Sequence, residues 1–82
     1  MLLQKIKSVI VEDELSAREV LKNYLQKYCP QVEIIGEAQN FKEAIPLLHD
    51  LKPQLVFLDV EMPFGNAFDV LEACKDLQFE TI

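Results

Sequence analysis

The chain has 82 residues, half of them hydrophobic, with eight basic and fourteen acidic side chains and a formal charge of −6. This is one small domain with enough apolar content for a core, and its acidity speaks against nucleic-acid binding and against docking on an anionic membrane. No apolar run approaches the roughly 18 residues of a membrane span, the start Met1-Leu2-Leu3-Gln4-Lys5 shows no signal peptide, and two cysteines, Cys29 and Cys74, read as reduced thiols of a cytoplasmic protein.

Residues Ile6 to Val11 are β-branched apart from Lys7 and Ser8 and stop at Glu12-Asp13-Glu14, which describes a short buried strand ending in carboxylates. Ala17, Val20, Leu21, Tyr24, Leu25 and Tyr28 then recur at helical spacing as one apolar face, with Arg18, Glu19, Lys22, Asn23 and Lys27 on the other, and Cys29-Pro30 ends the helix. Val32 to Ala38 is a second strand. Asn40 and Glu43 make a capping-box-like start for a helix that turns Phe41, Ala44, Ile45, Leu48 and Leu51 inward. Pro46 inside that pattern is expected to remove one backbone hydrogen bond and to kink or distort the helix.

Pro53 introduces Leu55-Val56-Phe57-Leu58, apolar on both faces like a central parallel strand, and this strand also ends in a carboxylate, Asp59. A loop with Met62-Pro63, Gly65 and Asn66 follows. Gly65 suits a positive φ, and Asn66 suits an N-cap with Asp69 at the third position. Phe68, Val70, Leu71, Cys74 and Leu77 supply the next apolar face, and Phe79 to Ile82 reads as the first half of a fourth strand. The order βαβαβα plus part of a strand predicts an α/β fold with a parallel sheet and right-handed crossovers.

Ligands of open α/β sheets bind outside the carboxyl ends of the strands. Glu12 and Asp13 follow strand one and Asp59 follows strand three; if those strands are neighbours, about 5 Å apart, the carboxylates converge. Their mutual repulsion is offset most naturally by a hard divalent cation such as Mg²⁺, which takes oxygen ligands and keeps positions open for a phosphoryl group. Asp59, ending the most buried strand, is the expected nucleophile. Helix capping by Asp13 or Glu14 is the competing explanation for the first cluster, and it leaves Asp59 unexplained.

The segments Val9-Ile10-Val11-Glu12-Asp13-Glu14, Ile35-Gly36-Glu37-Ala38 and Val56-Phe57-Leu58-Asp59-Val60-Glu61-Met62-Pro63 resemble the receiver domain of two-component response regulators. Leu15-Ser16-Ala17-Arg18 resembles the receivers that precede LytTR-type (LytR/AlgR) DNA-binding domains. The resemblance runs over all 82 residues. It implies a flavodoxin-like three-layer fold with strand one between strands two and three. It implies that Asp59 accepts a phosphoryl group from a histidine kinase, in a signalling module and not a turnover enzyme. It also implies that Glu12, Asp13 and Asp59 bind Mg²⁺ together with the backbone carbonyl of Glu61.

Two departures stand out. Glu12 occupies a position that is most often aspartate. The family's hydroxyl after strand four and lysine after strand five have no counterpart, since Thr81, 22 positions after Asp59, comes too early. Residues 1–82 are therefore expected to be the N-terminal part of a single receiver domain, truncated after the start of strand four, from a longer parent that carries the DNA-binding domain. An apolar edge near strand three and a sheet face short of helix cover are expected to drive homodimerisation. The alternative is a non-switching truncated receiver that serves as a dimerisation module. A Mg²⁺-dependent phosphohydrolase fits less well, because Glu61 stands where such enzymes usually carry a second aspartate. Among the remaining residues, His49 reads as a solvated surface histidine, Cys29 and Cys74 as packing residues, and Tyr24, Tyr28, Phe41 and Phe68 as core. Phe64 either covers the site or packs, and the Glu61 side chain is expected to point towards the phosphorylation site.

Overall fold

The computed structural model describes residues 5–59, 61–62 and 65–82. Pro63, Phe64 and the residues before Lys5 lie outside that range, as do the readings placed on them. The elements are β1 (Ile6–Val11), α1 (Leu15–Tyr28), β2 (Val32–Ala38), α2 (Phe41–Leu51), β3 (Leu55–Leu58), a small antiparallel pair β4 (Glu61–Met62) and β5 (Gly65–Asn66), α3 (Ala67–Ala73) and β6 (Glu80–Thr81). The main sheet is parallel throughout, in the order β2-β1-β3-β6.

Strand β1 is central, which is why its run of β-branched residues has no polar alternation. Val9, Ile10 and Val11 are fully buried, and the buried Ser8 hydroxyl satisfies itself by donating to the Ile6 carbonyl at 3.1 Å. Alternation along the strands puts Val9 and Val11 of β1 with Val56 and Leu58 of β3 on one face. There they form the core with Ala44 and Leu48 of α2 and Val70 and Cys74 at α3. Ile10 points to the opposite face. Right-handed crossovers running in opposite directions from β1 place α1 on that side.

Helix α2 begins as its sequence predicts. The Asn40 side chain accepts from the Glu43 amide at 2.9 Å. The reciprocal arm is displaced by one residue, since Glu43 accepts from the amide of Gln39 at 3.2 Å. The helix continues through Pro46 to Leu51, and Ala44 and Leu48 on either side of the proline remain fully buried. It ends in a left-handed residue, Lys52, at φ 47°. The β1–β2 register slips between Ser8 and Val9, so that Ser8 faces Ile34 and Val9 faces Gly36. A Cβ at Gly36 would lie 2.7 Å from Leu51 Cδ1, so the bare backbone lets α2 settle onto β2.

Three aromatic residues expected in the core are on the surface: Tyr24 is 60% exposed, Tyr28 59% and Phe68 72%. The reason is angular. Leu25 is the residue of α1 that is buried, and Tyr24, one position earlier, stands about 100° around the helix. The apolar stripe of α1 is thus wider than the sheet surface beneath it, and the outer part exposes Leu15, Val20, Tyr24 and Tyr28. Phe68 is the second residue of the short α3, whose buried side is set by Val70. After Ala73 the helix passes into a turn, closed by the Leu77 amide on the Cys74 carbonyl at 2.9 Å. Phe41 does pack against the core, as expected.

The outer edge of β3 is covered. Leu55 and Val56 pair with Glu80 and Thr81, and the Leu58 amide donates to the Ile82 carbonyl at 2.8 Å.

Candidate functional site

Because β1 and β3 are parallel neighbours with Val11 opposite Leu58, the next residue of each strand emerges at the same end of the sheet. Backbone bonds extend both ladders to that point. The Asp59 amide donates to the Val11 carbonyl at 3.0 Å, and the Glu12 amide to the Ala38 carbonyl of β2 at 3.0 Å. A carboxylate oxygen from each of Glu12, Asp13 and Asp59 then lies within 4.8 Å of the others. Glu12 and Asp59 are half-buried and Asp13 is exposed.

This crowding has an electrostatic signature. The Glu12 carboxyl is held above the usual glutamate range, first by burial and then by the adjacent Asp13 and Asp59, while the Glu14 amide pulls it the other way. An all-carboxylate donor set of this span suits a hard oxygen-seeking cation such as Mg²⁺, whose charge would remove the repulsion. Capping does not account for the cluster. Glu14 occupies the N-cap of α1 without a side-chain cap bond, and the Glu14 amide is taken by Glu12 Oε2 at 3.1 Å.

Arg18 was not legible as part of this region, since the helical pattern assigns it to the solvent face. Its side chain is 13% exposed. Nη1 donates to the backbone carbonyl of Glu12 at 2.7 Å, and Nε pairs with Glu37 Oε1 at the end of β2 at 3.3 Å. Lys22 takes the other oxygen of Glu37 at 2.9 Å. The spacing of Arg18 one helical turn past the acidic cluster was the available signal.

Glu61 begins β4, two residues beyond Asp59, with its backbone opposite Asn66. Thr81 is paired with Val56, three residues short of Asp59 along the strand, or about 10 Å at the usual rise. That distance supports excluding Thr81 from the site.

Residues 9–81 match the family described as the response regulator receiver domain. The chain belongs to that family. Among curated relatives of this receiver, the sensory transduction protein LytT of Bacillus anthracis is 38% identical over 73 residues, covering 89% of this chain and 29% of its own length. The transcriptional regulatory protein BtsR of Escherichia coli is 47% identical over 58 residues, covering 71% of this chain and 24% of the relative. The receiver thus spans under a third of the curated relatives it matches. Among solved structures, the signal receiver domain of the putative response regulator NarL from Mycobacterium tuberculosis superposes with a TM-score of 0.88 at 25% identity, over 96% of this chain and 64% of that one. The flavodoxin-like α/β fold and the LytT kinship expected from the sequence are thereby shown. None of the receiver's described helices is long and apolar enough to cross a membrane.

Away from the strand ends, the receiver's single histidine has partners that the sequence did not reveal. His49 Nδ1 lies 2.9 Å from the Ile45 carbonyl and Nε2 lies 3.1 Å from Asp76 Oδ1. Two acceptors at the two ring nitrogens favour the imidazolium, so the pKa is raised, by the Ile45 carbonyl first and then by Asp76. The pair ties α2 to the turn after α3. Cys74 is buried, and burial followed by the Asp76 charge pushes its thiol pKa up, as suits a packing residue.

Proposed function

We propose that this receiver is a phosphoacceptor module of a two-component system, with Asp59 as the acceptor and Glu12, Asp13, Asp59 and the Glu61 backbone carbonyl as the ligands of Mg²⁺. The observation that carries it is the convergence of Glu12, Asp13 and Asp59 within 4.8 Å at the carboxyl ends of β1 and β3. When bound, Mg²⁺ supplies positive charge for the phosphoryl oxygens and shields the attacking carboxylate. An Asp59 oxygen forms the new bond to phosphorus as the donor's bond to phosphorus breaks. With a phosphohistidine donor the imidazole leaves; with acetyl phosphate, acetate leaves. Glu12 and Asp13 do not react and serve to hold charge and geometry. A histidine kinase is the partner, and the module works in the cytoplasm as part of a single receiver domain. A DNA-binding domain in a longer parent protein would suit relatives whose names denote sensory transduction and transcriptional regulation.

Intact mass after incubation with Mg²⁺ and acetyl phosphate tests this reading. The parent chain gains one phosphoryl group, and neither Asp59→Asn nor a sample treated with a chelator does. Equal gain by Asp59→Asn would move the acceptor elsewhere. No gain by the parent would favour a non-switching interaction module.

A further inference from the structure

The acid-bearing turn between β1 and α1 is fixed by backbone bonds on two of its sides: the Glu12 amide to β2 and the Val11 carbonyl to the amide of Asp59. The third restraint is a side chain. Arg18 Nη1 reaches back six residues to the Glu12 carbonyl at 2.7 Å. Its Nε is anchored on Glu37 at 3.3 Å, and Glu37 is itself held by Lys22 at 2.9 Å. A charge-assisted bond in a mostly buried position is stronger than a neutral one. The planar guanidinium meets two acceptors on different elements with separate N–H groups, which the single ammonium of a lysine does not reproduce. Pairing with Glu37 offsets part of the guanidinium's charge.

We infer that Arg18 is a positioning residue for the divalent-cation site: by clamping the Glu12 carbonyl to the end of β2, it aims the Glu12 and Asp13 carboxylates at the position of the ion. The inference rests on the Mg²⁺ reading above and adds a residue to it. Outer partners of this kind typically change metal affinity by about 10–100-fold when removed.

The test measures Mg²⁺ affinity by titration calorimetry on the parent, Arg18→Ala, Arg18→Lys and Glu37→Gln, together with amide hydrogen exchange in the absence of metal. In Arg18→Ala the Mg²⁺ affinity falls about tenfold. Its Asp13 and Glu14 amides exchange faster while the β3 amides keep their protection, and millimolar guanidinium restores part of the affinity. Arg18→Lys stays weak. Glu37→Gln, which retains Arg18 and loosens its anchor, loses affinity to a smaller extent and serves if Arg18→Ala does not fold. Unchanged affinity in a folded Arg18→Ala, or in Glu37→Gln, overturns the inference, and so does full recovery by Arg18→Lys, since charge alone would then suffice. A parent chain that binds no Mg²⁺ overturns the site reading itself, an outcome visible before any variant is made.

Discussion

Glu12 carries two opposed demands. Its carboxyl is raised above the ordinary glutamate range by burial and by Asp13 and Asp59, so the folded state holds its proton more tightly than the unfolded state does. A raised acid pKa means that stability declines as pH climbs through it. We therefore expect Glu12→Gln to gain a few tenths of a kcal/mol at neutral pH, a small value because solvent screens a half-exposed group. Mg²⁺ binding goes the other way. Proton and cation compete for the same oxygen, so affinity falls on acidification at a pH above that of an ordinary glutamate, and Glu12→Gln loses at least about tenfold. Thermal melting against pH, paired with calorimetric titration, checks both signs. A variant that melts lower at neutral pH and binds Mg²⁺ normally would contradict the prediction. Residue by residue, the carboxylates were legible because each follows an apolar run and so marks a strand end. Arg18 was not, because its spacing after the acidic cluster is a faint signal and its decisive partner is a backbone carbonyl.

Among the elements, α2 and β2 show how close packing depends on one missing atom. The Cβ that Gly36 lacks would approach Leu51 Cδ1 to 2.7 Å and Leu47 Cδ2 to 3.4 Å. Alanine meets only the flexible ends of those leucines, whereas valine adds two more methyls to a filled space. Gly36→Val is expected to cost about 1–3 kcal/mol by overpacking. This would be read as a lower urea midpoint with an unchanged slope, and an unshifted midpoint would refute it. The elements themselves were readable from β-branched runs and the 3.6-residue period. Pattern alone did not place Tyr24, Tyr28 and Phe68, because an apolar stripe says which side of a helix is hydrophobic and not how much sheet is available to cover it. The His49–Asp76 pair was hidden for a related reason: it joins two elements that only the tertiary fold brings together.

At the scale of the whole molecule, the sheet has unequal cover. One face has α2, α3 and a continuous core; the other has α1, which leaves Leu15, Val20, Tyr24 and Tyr28 more than half exposed. One edge of the sheet is β2 and the other is the two-residue β6. Exposed apolar surface of this extent on one helix face favours association with a second copy. Sedimentation across a concentration series is expected to show a reversible dimer, and Val20→Lys with Tyr24→Lys to shift it to monomer. A parent that stays monomeric at every concentration removes this expectation.

The placement of the tyrosines has an optical consequence. The chain has no tryptophan and two tyrosines, and both lie on one turn of α1 with ring centroids 4.7 Å apart. Its ultraviolet emission therefore comes from a single helix on the thinly covered face. An unfolding curve followed by that emission reports the release of α1, while circular dichroism reports the helices together. Any separation between the two curves measures how far α1 leaves the sheet before α2 and α3 do.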